Sequence, residues 1–354
     1  MPHLARSLLV AVVCFGAATQ AVAQQRQPFR VGPVLARPGE KVSGFIDVPA
    51  GVDEGTRIPI TVVHGTRPGP VLAAIAGTHG YEYPPITALQ QVRRELVPSA
   101  LSGTVILVHV ANMPSFLGRT IYYSPIDGKN LNRVYPGLPD GTVSDRIAHA
   151  ITTEVIDRAD VVIDLHCGDG NEDLRPYAYW MLSGDDALDT RSRELLVAFG
   201  LDHIVIDRDR PHDPNASVYT ANTALTRGKV GLTTETGRLG MNDAGSVALA
   251  VRGVWNAMKQ LRMVDGEVDR PGPIVWLDGY EVIRSPVTGI FRPAVTYGWA
   301  VAEGGLLGTL VDFFGETIQE VSAPFAGVVN YVVATPPVSA GEPLAMVSRI
   351  KEGP

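Results

Sequence analysis

Five short apolar runs constrain this chain most: residues 71–76, 104–110, 161–165, 203–206 and 230–234. They are almost free of charge, as strands buried on both faces are. Between them, residues 85–96, 144–156, 187–199 and 243–261 carry apolar positions at helical spacing. Ser144 and Asp243 are expected N-caps, and Pro98 and Gly200 expected stops. This alternation predicts an α/β protein, a three-layer αβα domain around a mostly parallel or mixed sheet. In such domains functional side chains gather where strands end and loops begin.

The flanks have a different texture. Residues 24–65 are rich in Pro, Gly and Val, with alternating runs at 41–48 and 58–63 that predict an antiparallel lead-in. His64 reads as a loop residue at its end. Beyond residue 270 helical spacing ceases, and short β-type runs fill 279–348. Ser285-Pro286-Val287-Thr288-Gly289-Ile290 answers to Ala323-Pro324-Phe325-Ala326-Gly327-Val328, and Val301-Ala302-Glu303-Gly304 to Val338-Ser339-Ala340-Gly341. The repeat predicts a small two-fold sandwich or flattened barrel, similar to biotinyl/lipoyl carriers. No lysine occurs between Lys259 and Lys351, so a carrier attachment point is missing, and a structural role or an active-site wall is expected instead.

The chain opens with Arg6, an apolar stretch over 8–18 and Ala21-Val22-Ala23 before Gln24. This is the pattern of a cleaved export signal, with an apolar run too short to span a bilayer. A lipoprotein signal is excluded, because Val13 precedes Cys14 and Cys14 lies within the apolar run. Cleavage would leave Cys167 as the only cysteine and no intrachain disulfide. The expected protein is periplasmic or secreted, not stably inserted in a membrane, and compatible with homo-oligomerisation. The expected division is a signal at 1–23, a β-rich lead-in at 24–65, a catalytic domain at 66–268 and a β-rich module at 269–354.

A formal charge of −7 without a basic patch argues against a nucleic-acid partner. Nucleophilic serine and nucleotide-binding motifs are absent. A metal site is not. His79 and Glu82 sit three residues apart on a Gly-punctuated turn leaving the first run, and His166 follows the third run before a Gly-rich loop. Two imidazoles and one carboxylate, with an open fourth position, make a catalytic zinc donor set. Glu235 ends the 230–234 run and is the candidate proton carrier. Arg119, Asn130, Asn132 and Arg133 lie on one polar stretch suited to a carboxylate, which guanidinium binds through two parallel hydrogen bonds.

Gly77-Thr78-His79-Gly80-Tyr81-Glu82, Asn130-Leu131-Asn132-Arg133, Asp164-Leu165-His166 and the strand-end Glu235 occur in that order. With these motifs the chain resembles the succinylglutamate desuccinylase/aspartoacylase family of zinc-dependent deacylases, over about residues 65–350. The resemblance implies a zinc carboxypeptidase-like fold with one Zn2+ per chain held by His79, Glu82 and His166. It also implies Glu235 as general base and acid, Asn132 and Arg133 on a substrate carboxylate, and Arg119 on the scissile carbonyl. Asp164 is a candidate to orient a ligand imidazole. The expected activity is removal of an N-acyl group from an amino acid or similar small carboxylate. A carboxypeptidase acting on peptides or cell-wall fragments is the alternative, and a catalytically idle zinc-dependent solute-binding protein a third reading.

Overall fold

The structure is a computed structural model that describes residues 26–270 and 272–354. The expected export signal at 1–23 lies outside the described residues. A mixed sheet of thirteen strands runs through the molecule. Its centre is the parallel series Ser102–Val108, Arg67–Ala76, Val161–His166 and Val230–Glu235, followed by Tyr177–Met181, which lies antiparallel to the last of these. Strand Arg67–Ala76 shows why both faces must be covered. Leu72, Ala74 and Ala76 pack into one buried cluster, and Ala73 and Ile75 into another, as period-two alternation requires. Helices Tyr83–Glu95, Asp186–Phe199 and Ala244–Gln260 line the first face, and Val143–Glu154 lines the second. The three layers and the mixed sheet are as the sequence predicts.

Details differ. The helix expected to be capped by Ser144 is capped two residues earlier by Thr142, whose capping box with Asp145 closes the first turn. Asp243 does cap its helix, accepting from Ser246 N, and Gly200 ends another in the left-handed region. His64 is not in a loop. It pairs with Glu40 at the end of strand Thr56–His64 and is buried, bonded to Thr104. Strand Tyr177–Met181 was not expected.

The lead-in is antiparallel, Glu40–Val48 against Thr56–His64, and the second of these pairs with Ser102–Val108. It therefore extends the central sheet. The C-terminal region does the same from the other side. Strand Val275–Arg284 pairs parallel with His203–Asp207 and antiparallel with Pro343–Lys351. A separate four-stranded sheet faces this extension across a core that includes Phe291, Leu310, Val329 and Val347. The internal repeat is visible locally: each Pro-containing stretch bends directly before a strand, at Gly289 and at Gly327. Gly304 and Gly341 take the same turn position with φ of 74° and 88°.

Candidate active site

Three neighbouring parallel strands deliver the candidate residues at their carboxyl ends. Arg67–Ala76 leads into His79 and Glu82, Val161–His166 ends on His166, and Val230–Glu235 ends on Glu235. His166 and Glu235 are register partners, about one interstrand spacing of ~4.8 Å apart at the backbone. The turn after the first strand depends on Gly77, which has φ 69° and so needs no side chain. A side chain at Gly80 would collide with the Ser115–Phe116 backbone. That glycine thus admits the neighbouring helix Met113–Gly118. Glu82 occupies the N-cap position of helix Tyr83–Glu95, which fixes its carboxylate beside the turn.

His79, Glu82 and His166 are all buried, and one ligand atom from each lies within 4.8 Å of the others. His79 Nδ1 is 2.7 Å from Glu82 Oε1, and His166 Nδ1 is 2.8 Å from Glu82 Oε2. The far nitrogens also face acceptors. His79 Nε2 is 3.1 Å from Asn130 Oδ1, and His166 Nε2 is 3.0 Å from Asp164 Oδ2, at ion-pair distance but poorly aligned. In the tautomer that keeps the proton on Nε2, facing those acceptors, each Nδ1 presents a lone pair inward to a carboxylate that also offers only lone pairs. Such a convergence is stable only around positive charge, either protons or a cation. The protonation tendencies carry the same message. Burial disfavours the imidazolium of His79, yet Glu82 outweighs it and raises the pKa. Burial likewise opposes protonation of His166, and Asp164 and Glu82 override it strongly. Burial would raise Glu82, but His166 and His79 hold it down at about 2. The donor set therefore fits a divalent metal.

Glu235 is partly covered as a residue, but its Oε2 is shut off from solvent and has no hydrogen-bond partner. Burial pushes its pKa well above 4.5, His166 opposes this, and Glu82 and Glu172 add to it. A carboxyl with raised basicity beside the ligand cluster suits proton transfer near neutral pH.

The remaining predicted residues are placed less uniformly. Asn132 sits in the tight turn Leu131–Arg133 beside the cluster. Its Oδ1 accepts from the Thr220 backbone and hydroxyl, and its Nδ2 lies 3.4 Å from His166 Nε2. Only its amide N–H groups remain to reach a substrate. Arg133 is exposed, donates to the Asn132 carbonyl and lies 4.8 Å over the Tyr219 ring. Arg119 is exposed at the left-handed end of helix Met113–Gly118, within electrostatic reach of Tyr83. Asp164 faces His166 and also accepts from the Thr78 hydroxyl.

Other neighbours carry no sequence signal. Tyr331, on strand Gly327–Val333, lies within electrostatic reach of Glu172, Arg133 and Glu235, so the C-terminal region forms part of the wall. Asp169 is buried, with a pKa raised to about 7 by burial and by Glu82. Two surface cavities of about 540 and 410 Å³ lie along the lead-in, around Asp47–Pro49, and include none of the cluster. Chemistry, not concavity, locates this site.

Residues 68–261 match the succinylglutamate desuccinylase/aspartoacylase catalytic domain. The chain belongs to the succinylglutamate desuccinylase/aspartoacylase family. It is 31% identical over 320 residues to an N-alpha-acetyl-L-2,4-diaminobutyric acid deacetylase of Halomonas elongata, covering 87% of this chain and 92% of that one. The product-bound structure of the ectoine utilization protein EutE (DoeB) from Ruegeria pomeroyi is similar at 29% identity and a TM-score of 0.81, over 92% of this chain and all of that chain. A succinylglutamate desuccinylase/aspartoacylase from Rhodobacter sphaeroides is similar at 27% identity and a TM-score of 0.79, over 89% and 97%. The mixed α/β fold with a β-rich C-terminal region is thus the fold of these relatives.

Proposed function

We propose that this protein is an exported zinc-dependent amidohydrolase that removes an N-acyl group from an amino acid or similar small carboxylate. One observation carries the reading: two buried imidazoles turn Nδ1 onto the Glu82 carboxylate, while Glu235, its Oε2 buried and unpartnered, stands in register beside one of them. His79, Glu82 and His166 would hold the ion. When bound, zinc supplies an activated water near neutral pH and electrophilic stabilisation of developing negative charge. Glu235 takes a proton and returns it to the departing amine. Asn130 and Asp164 fix the tautomers of the two ligand imidazoles. Arg133, steadied by Tyr219, anchors the substrate carboxylate, with the Asn132 amide beside it. Arg119 polarises the carbonyl in this reading. The deacetylase relative supports an acyl–amide substrate, and the N-terminal segment supports export. The zinc carboxypeptidase-like core and the carrier-like C-terminal sandwich belong to the same proposal.

The test is metal analysis of the purified protein together with turnover on N-acyl amino acids and, in parallel, short peptides. One zinc per chain and hydrolysis of the N-acyl compounds that stops on chelation and returns with zinc is the expected result. Turnover confined to peptides, or unaffected by chelation, would refute it.

A further inference from the structure

Tyr122 holds a backbone conformation that a bulky side chain avoids. Its φ is 56°, and Arg119, three residues earlier, is left-handed as well at 52°. Strain of this kind persists where surrounding contacts enforce it. The contacts here come from the loop that follows His166. Asp169 Oδ2 accepts the Tyr122 backbone N–H at 3.0 Å, and Asn171 Oδ1 accepts the phenol at 2.8 Å. Between these anchors the ring stands edge-on to the His79 imidazole, with centroids 5.7 Å apart and planes at 85°. Gly170, between the two anchoring residues, leaves space that Tyr81 and Ile121 occupy. The loop is itself pinned to the C-terminal region, because the Asn171 carbonyl accepts from Ala334 N and Glu172–Leu174 pairs with Gly327–Val333.

We infer that Tyr122 is a positioning residue, a cross-brace that locks the turn carrying His79 to the loop behind His166 and thereby sets metal affinity. The inference rests on the metal-centred reading above. It also explains the strain: a left-handed backbone points the ring at His79 while both of its ends are bonded to the opposite loop. Simple packing would require neither the conformation nor the two polar anchors. The brace differs from the roles of Asn130, which bonds the His79 imidazole, and Asp164, which faces that of His166 at ion-pair distance.

Two substitutions separate bracing from general structural support. Tyr122→Phe removes only the phenol anchor. Tyr122→Asn removes the ring but tolerates a left-handed backbone. Zinc dissociation constants come from competition with a chromophoric chelator, and thermal unfolding of the metal-free proteins reports the scaffold. Cobalt-substituted protein gives a ligand-field spectrum of the site. Tyr122→Asn should weaken zinc about 10- to 100-fold and Tyr122→Phe by up to about 10-fold, magnitudes typical of residues supporting metal ligands. The cobalt spectrum should shift, and the unfolding temperature of the metal-free Phe variant should stay near that of the parent. Zinc affinity within about twofold of the parent in both variants would overturn the inference. So would a weakening accompanied by equal destabilisation of the metal-free protein, or a parent protein that binds no zinc. A parent that binds zinc tightly but hydrolyses no acyl substrate would sink the proposed activity and leave the brace standing.

Discussion

Glu235→Gln should move stability and activity in opposite directions. Glutamine keeps the shape of the side chain and removes its charge. In the native protein Oε2 has neither solvent nor a hydrogen-bond partner, and Glu82, Glu172 and Asp164 add their negative potential. A buried polar group left unsatisfied costs about 1–3 kcal/mol, more when charged. The pH dependence follows from the direction of the shift. The native pKa is raised above 4.5 by burial, so the unfolded chain ionises first as pH rises. The native state is therefore penalised increasingly above the unfolded value, up to the native one, and not at all well below both. In metal-free protein, Gln should raise the unfolding temperature at pH 7.5 by roughly 2–6 °C, taking about 2 °C per kcal/mol for a chain of this size. The gain should vanish near pH 4. Over the same substitution, kcat should fall about 10²- to 10⁴-fold, the usual contribution of a positioned base. Calorimetry at the two pH values and steady-state kinetics with zinc present give both numbers. Lower stability at pH 7.5, or a kcat within tenfold of the parent, would refute the assignment of a base with an unsatisfied buried oxygen.

Two further outcomes follow from the ligand cluster. Asp164→Asn keeps an acceptor near His166 Nε2 but removes its charge, so zinc affinity should drop about 10-fold or more, read by chelator competition. Zinc affinity should also fall with pH, by up to about tenfold per pH unit for each imidazole that must lose a proton. His79 and His166 both have raised pKa values while Glu82 stays ionised near 2. Affinities flat between pH 5 and 8 would contradict that coupling.

The ligands could be read from the sequence because each occupies a short, local pattern: a strand, a glycine turn, then the functional group. What the sequence left out is mostly contact across space. Asn130 lay inside a quoted motif, yet its bond to His79 spans 51 residues and leaves no local trace. Tyr122 and Tyr331 have no motif at all, and only folding brings them to the site. Strand Tyr177–Met181 was missed because Pro176 precedes it and its tyrosines read as polar, whereas both phenols are packed and bonded to one another. The helix cap moved from Ser144 to Thr142 because Asp145 completes a capping box only with Thr142. Ser144 instead bonds Asp127, 17 residues away, a partner that propensity cannot foresee.

The strand Val275–Arg284 joins the helix-flanked part of the sheet to the C-terminal strands through hydrogen bonds on both of its edges. The change in texture near residue 269 is therefore not a seam along which the protein can be taken apart. Cutting there would strip His203–Asp207 of one partner and leave an apolar strand edge open to other chains. It would also remove Tyr331 from beside Glu235. A shorter catalytic unit made from this chain would inherit the metal ligands and lose both its solubility and its wall, so the β-rich end travels with the chemistry or not at all.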